Sequence, residues 1–538
     1  MLPDIENLSL AEQVAQMFVV RISGHLFDSQ IEFPWWEPPA AELEHWLQDL
    51  GVGGVILVGG SAGDLMLRSR QVQSWAKYPL LVAADVEEGV GQRFAGATWF
   101  PPPMALRDIA IGDPDKAAQY ARKMGAFIAK ESLGIGLNWV LAPVVDVNNN
   151  PENPVINVRS FGETPDAVGF LAEAFIQGAR DWSVLTCAKH FPGHGDTSVD
   201  SHLDLPVIPH SRERLAEIEL PPFARAIAAG VDSVMSAHLV IECWDPEQPA
   251  TLSEKILTGK LRNNLGFEGL IVTDALVMGA IAKRYGSNEA PVMALEAGAD
   301  ILLMPADPPG AIQAVLNAVE SGRISPKRIR DSVERIWQAK RKVCASTTPG
   351  KSEPETISSL SLEYAAQLDL LANPVTKATA GEILQESLRV GGAIPWQPVP
   401  GTGLRNLIVV DDVLRCSFLG HHVPAIAIPK EKGALLQIFD RDSLAATEGA
   451  SNQNPVPTLL QLFIRGNPFR GTAGLTKAAE DLLERLLRNG ELQALAIYGS
   501  PYILERFLTE LPSEIPYVFS YGQMPKAQAI ALEALFGS

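Results

Sequence analysis

Up to about residue 345, short apolar runs alternate with longer amphipathic stretches. The runs are 15–22 (AQMFVVRI), 53–58 (GGVILV), 79–85 (PLLVAAD), 137–145 (LNWVLAPVV), 183–190 (SVLTCAKH), 231–238 (VDSVMSAH), 269–275 (GLIVTDA) and 299–304 (ADILLM). Each is rich in Val, Ile and Leu and lacks strict alternation, the pattern of a strand buried on both faces. The stretches between them, at 115–132, 166–180, 211–229 and 309–321, carry helical spacing. Ser325 reads as an N-cap and Pro326 as the first residue of a helix running to about 343. Eight strands separated by helices predict an α/β fold with an N-terminal (β/α)8 TIM-type barrel. A doubly wound open sheet is the competing arrangement.

The pattern breaks at 346–360, a polar stretch of Thr, Pro, Gly, Ser and Glu with the chemistry of a linker. A second αβ pattern follows. LRNLIVVDDV (404–413), PAIAIPK (424–430), TLLQLFIRG (458–466), LQALAIYGS (492–500) and PYVFSYGQ (516–523) read as strands, and 473–489 and 525–535 as helices. The expected organisation is a barrel over 1–345, a linker over 346–360, and a smaller C-terminal αβα sandwich over 361–538.

Composition sharpens this picture. A chain of 538 residues is long enough for two or three domains, and 46% hydrophobic with 20% charged residues is globular usage. The net charge of −19 disfavours nucleic acid and anionic membrane surfaces as partners. The four cysteines lie far apart with no C-x-x-C spacing, which argues against zinc fingers and a disulfide framework. The N-terminal residues lack a signal-peptide pattern, and no apolar run reaches the roughly 18 residues of a membrane span. A cytoplasmic protein is the expectation. The sequence carries no signal for or against assembly.

In a barrel the chemistry sits at the C-terminal strand ends. Four runs end there in an ionisable group: Asp85, Lys189 with His190, His238, and Asp274. Five of the nine histidines (His190, His194, His202, His210 and His238) fall in one region, and three of them lie in KHFPGHGDTSVDSH, 189–202. Pro192, Gly193 and Gly195 forbid a helix, so this is a shaped loop. A polar surface loop, a metal site and an acid/base pair are the three readings of it. Zinc could take His and Asp ligands at short spacing, but only Asp274 offers an obvious distant ligand. In an extended loop Asp200 and His202 point the same way, so the carboxylate can orient the imidazole and hold its proton.

The loop resembles the signature of glycoside hydrolase family 3 enzymes of the β-N-acetylglucosaminidase type. Thr273-Asp274-Ala275-Leu276-Val277-Met278 resembles that type's T-D-x-L-x-M segment. Val158-Arg159-Ser160-Phe161-Gly162 is similar to R-S-F-G, and Val234-Met235-Ser236-Ala237-His238 to V-M-x-A-H. LSLAEQVAQMFVV at the start and SYGQMPKAQAIALEALFG at the end also match, as in two-domain members. The resemblance implies a retaining exo-β-N-acetylglucosaminidase without metal or cofactor, acting on peptidoglycan fragments or chitin-type oligosaccharides. It makes Asp274 the nucleophile, His202 the general acid and base, and Asp200 its partner. It makes Asp85, Arg93, Arg159, Lys189 and His190 substrate-binding residues. His194 and Asp196 are read as bracing the loop, and His210 as a surface residue.

Two departures from the family pattern stand out. The family's D-x-E-G-G-x-V-Q-R becomes Asp85-Val86-Glu87-Glu88-Gly89-Val90-Gly91-Gln92-Arg93, with Glu88 for glycine and Gly91 for valine. Ala275 follows Asp274 where an aspartate is common. Competing functions are a β-N-acetylglucosaminide phosphorylase of the same family, a metal-dependent hydrolase and a non-catalytic sugar-binding protein. A β-glucosidase would carry tryptophan after the nucleophile and no Asp–His pair.

Overall fold

The computed structural model of the chain describes residues 2–197, 205–344, 368–398, 403–445, 455–465 and 473–537. The expected linker and the Asp200–His202 pair lie outside the described residues. The chain forms two units. The first is Met1–Phe100, Asp115–Asn150 and Ser160–Lys377; the second is Pro101–Pro114, Pro151–Arg159 and Ala378–Ser538.

In the first unit, each apolar run carries one strand: β1 (Phe18–Ser23), β2 (Gly54–Val58), β3 (Leu81–Ala84), β4 (Trp139–Val140), β5 (Cys187–Phe191), β6 (Ser233–Ser236), β7 (Leu270–Val272) and β8 (Leu302–Leu303). All pair in parallel. They form a five-stranded sheet of order β8-β1-β2-β3-β4 and a three-stranded sheet of order β7-β6-β5. Isolated parallel bridges, Trp139↔Leu185 and Val272↔Ile301, join both edges of one sheet to both edges of the other. The strand residues are almost all buried, as continuous apolar runs require. The bulkiest of them, Trp139, satisfies its indole N–H on Ser233 Oγ at 3.0 Å.

Helices Pro114–Gly134, Pro165–Ala179, Pro308–Glu320 and Pro326–Cys344 occupy the stretches with helical spacing. Ser325 caps the last of them, its hydroxyl accepting from Arg328 N at 3.2 Å. The expected helix 211–229 is two helices, Arg212–Glu217 and Leu220–Ala228. Pro221 and Pro222 explain the break: their rings are tolerated in a first helical turn but clash in an interior.

The start of β8 is held to β7 by a buried carboxylate. Asp300, fully buried just before β8, accepts from Arg262 Nη2 at 2.7 Å, Ile271 N at 3.0 Å, Ser332 Oγ at 2.5 Å and Arg335 Nη1 at 3.0 Å. It ties β7 and β8 to helix Pro326–Cys344.

The second unit holds a six-stranded sheet: β9 (Arg389–Gly391), β10 (Arg405–Val409), β11 (Leu435–Phe439), β12 (Thr458–Ile464), β13 (Leu492–Gly499) and β14 (Tyr517–Ser520). Their order is β9-β14-β13-β12-β10-β11, parallel except for β9. The segment 424–430 is not a strand but most of helix Pro424–Glu431. A short apolar run cannot be assigned by periodicity alone, and Pro424 at the first helical position decides it. The sequence reading also missed β11, an edge strand whose Leu435 and Leu436 are exposed and break the buried-strand pattern. Among the described residues, no helix is long and apolar enough to cross a membrane.

Replacing Asp300 by alanine strands the Arg262 and Arg335 guanidiniums against a buried void. Loss of one partner from a buried pair costs about 3–5 kcal/mol. Asp300→Ala is therefore expected to lower the unfolding free energy of the first unit by that amount, obtained from urea titrations read by circular dichroism.

Candidate active site

The parallel ladders bring three of the expected residues to the same strand ends. Side chains of paired residues in a parallel ladder share a face, and the face repeats every second residue. Lys189 pairs with Met235 and Met235 with Val272, and Asp274 lies two residues past Val272. Asp85 lies two past Ala83, which pairs with Trp139; Trp139 bridges Leu185, four before Lys189. Ala83, Lys189 and Val272 thus share a face, and Asp85 and Asp274 follow two of these positions just past the C-terminal strand ends.

The link is direct between β3 and β5. Lys189, only 1% exposed, places Nζ 2.6 Å from Asp85 Oδ1 and 2.6 Å from Glu87 Oε1. An ammonium with three donors, enclosed this way, needs acceptors on every side. Asp85 is a third exposed and Glu87 nearly sealed, so Glu87 supports the lysine from behind while Asp85 faces outward. Glu87 went unassigned as a site residue in the sequence; it stands in a turn just past Asp85, closed by Gly89 N donating to Val86 O at 3.1 Å, and the turn brings it to Lys189. Arg93 is exposed and reaches the same segment by its main chain: Nε donates to Asp85 O at 3.0 Å.

The two departures in this segment fit each other. The Glu88 carboxylate is buried and accepts from Trp99 Nε1 at 3.0 Å. Glu88 O accepts from Phe100 N at 2.7 Å, and Gly91 N donates to Thr98 O at 2.8 Å. A Cβ on Gly91 would lie 2.5 Å from Ala97 O and 2.7 Å from Thr98 O. The chain folds back too closely for valine, and Trp99 supplies the donor that a buried glutamate requires.

A second carboxylate organises the end of β5. Asp146, fully buried, accepts from His190 N at 3.1 Å, from His190 Nδ1 at 2.7 Å and from His194 N at 2.7 Å. Burial opposes its ionisation, but the neighbouring His190 and the donors around it hold its carboxyl below the usual range. The loop is pinned tightly: a Cβ on Gly195 would lie 1.7 Å from Val147 O. Asp146 directly follows the fourth apolar run, so asking what ends that run would have found it.

His194 is enclosed, with Nδ1 3.2 Å from Thr197 Oγ1, and burial lowers its pKa to about 4 against the opposing charge of Asp146. The charge of Asp274 also acts on it, which relates the end of β7 to the β5 loop. Asp196 braces the loop from outside: its Oδ2 lies 2.8 Å from His210 Nε2 and 3.4 Å from Arg214 Nη2. His210, read as an incidental surface residue, is part of this brace.

Asp274 is half-buried, and its Oδ1 accepts from Ala275 N at 2.7 Å. Its segment is tied to β8, with Leu303 N donating to Thr273 Oγ1 at 2.9 Å and Leu276 N to Leu303 O at 3.0 Å. His238, fully buried, places Nε2 3.1 Å from Ala275 O and Nδ1 2.8 Å from Thr251 Oγ1. A carbonyl only accepts, so Nε2 carries the proton there. Arg159 belongs to the second unit, where Nη1 donates to Val155 O at 3.0 Å.

The pKa of His194 gives the loop a pH signature. Its ordinary value is 6.5 and its folded value about 4, so between these the unfolded chain binds the extra proton. Stability is therefore expected to fall as pH drops from about 6.5 to about 4. Urea midpoints across that window check this. The decline should be shallower in His194→Asn, which has nothing to protonate.

The comparisons with known proteins follow this geometry. Residues 9–339 match the Glycosyl hydrolase family 3 N terminal domain, and 398–537 the Bacterial Glycosyl hydrolase family 3 C-terminal domain. The chain is 36% identical over 341 residues to Beta-hexosaminidase A of Pseudoalteromonas piscicida, a match covering 58% of this chain and 56% of that protein. It is 34% identical over 313 residues to a Beta-hexosaminidase of Nitrosomonas eutropha, covering 56% of this chain and 88% of that one. Among solved structures, it is similar to a glycoside hydrolase family 3 beta-N-acetylglucosaminidase from Paenibacillus sp., with a TM-score of 0.78 and 29% identity. That likeness covers 98% of this chain and 97% of the other. With the family model spanning well over half its length, the chain belongs to glycosyl hydrolase family 3.

Proposed function

We propose that this protein is a retaining exo-β-N-acetylhexosaminidase that removes terminal β-linked N-acetylglucosamine. The observation that carries the reading is the gathering of Asp85, Lys189 and Asp274 at the C-terminal strand ends, with Lys189 on Asp85, in a chain similar to relatives named for that activity. We further propose that the two parallel sheets close into one eight-stranded barrel. Bridges at both seams support it, and the side-chain alternation carries round the strand pairings as far as the register shift after Lys189 in β5.

In this reading Asp85 accepts hydroxyls of the terminal sugar, and Lys189 holds that carboxylate in place while Glu87 balances its charge. Arg93 secures the same segment through Asp85 O, and His190 completes the sugar contacts. Asp274 attacks the anomeric carbon as the glycosidic C–O bond breaks, and His202 gives its proton to the leaving oxygen. His202 then takes a proton from water, whose oxygen displaces Asp274 from the covalent glycosyl-enzyme. Asp200 orients the imidazole through both halves. Peptidoglycan fragments or chitin-type oligosaccharides supply the terminal sugar.

Asp274→Ala is expected to abolish release of 4-nitrophenol from 4-nitrophenyl β-N-acetylglucosaminide while leaving the thermal midpoint within a few degrees of wild type. Near-wild-type turnover would overturn the nucleophile assignment. His202→Ala should lose at least tenfold more rate on chitobiose than on the 4-nitrophenyl substrate, because a good leaving group needs little protonation. Equal losses would argue against an acid role. Product analysis in phosphate buffer separates N-acetylglucosamine, expected here, from its 1-phosphate.

A further inference from the structure

The segment following β1 carries an aromatic cluster that the mechanism leaves unused. Phe33, Trp35 and Trp36 pack together with ring centroids 5.9–6.0 Å apart. Trp35 is 65% exposed, which is unusual for so large an apolar ring in an ordered segment. The cluster is fixed from beneath. Arg21 of β1 lies under Phe33 and Trp36, with Cζ 4.7 and 5.3 Å from their ring centres. Its guanidinium is clamped by Glu37 Oε1 at 2.8 and 2.6 Å, and Glu37 is itself buried. A planar cation stacked on rings and held by a carboxylate makes a rigid base.

Arg21 places this cluster beside the site. It pairs with Ile56, and Ile56 with Ala83, two residues before Asp85. Arg21 therefore shares a face with Ala83 and, through Trp139 and Leu185, with Lys189. In strand order, β1 stands between β7, which leads to Asp274, and β3, which leads to Asp85. In the closed barrel proposed above, β1 and the cluster that follows it stand across from β5, where Lys189 and His190 stand.

We propose that Trp35 is a stacking platform for the sugar on the leaving-group side of the scissile bond. This rests on the glycosidase reading above. The apolar face of a pyranose ring presents C–H bonds to an indole, and a large rigid aromatic ring offers that contact at little cost in side-chain entropy. The carboxylates and lysine at the strand ends hold the terminal sugar, so the next ring extends outward to the exposed tryptophan. The enzyme would thereby prefer oligosaccharides to glycosides with small leaving groups.

The test compares chitotriose with β-N-acetylglucosaminyl azide, whose leaving group is too small to stack. In Trp35→Ala the ratio of kcat/KM for chitotriose to that for the azide should fall about tenfold, and Trp35→Phe should recover most of it. An unchanged ratio in Trp35→Ala would overturn the platform. A parallel measurement titrates chitotriose into Asp274→Asn protein, with and without Trp35→Ala, by calorimetry. Weaker binding in the double variant supports the platform and equal binding overturns it. If wild type turns over neither substrate, the glycosidase reading fails, while the calorimetric comparison still decides the platform.

Discussion

The buried carboxylate of Asp146 is the constraint on which the site depends. An ion removed from water loses several kcal/mol of solvation unless donors replace it. Here the donors are two backbone N–H groups and one imidazole, all from the β5 end and the loop after it. Meeting that demand fixes the direction in which the chain leaves β5. It orients the His190 ring and the start of the loop that leads to Asp200 and His202. Lys189, one residue earlier, is then turned to Asp85 and Glu87.

Much of this was legible because the physics involved is local. Strands buried on both faces must be continuously apolar, so all eight runs of the first unit carry strands. Ionisable groups at the ends of those runs stand out, and Asp85, Lys189 and Asp274 were found that way. Where the signal was ambiguous, the reading failed. PAIAIPK is apolar enough for a strand, but Pro424 suits a helix start. The amphipathic stretch 211–229 conceals its break because its two prolines sit inside an otherwise regular pattern.

Other features depend on contacts no single segment announces. Glu87 looked like one acidic residue among several until Lys189 was seen to fill the space between it and Asp85. Arg21 sits inside an apolar run, where its charge is balanced by Glu37, sixteen residues on. Glu88 and Gly91 looked like separate losses from the family pattern. They are compatible because Trp99 and the Ala97–Thr98 backbone come back against the same turn.

The enclosed lysine also sets the charge of the site. Lys189 lies between two carboxylates, those of Asp85 and Glu87, so this cluster holds one more acidic group than basic ones. A sugar ring that gains positive charge at its anomeric carbon and ring oxygen as the bond breaks is favoured by such a field, more at the summit of the barrier than at rest. The same field repels a terminal sugar that carries its own carboxylate. On the proposed reading, discrimination against uronic acids comes with this cluster, with no side chain devoted to rejecting them.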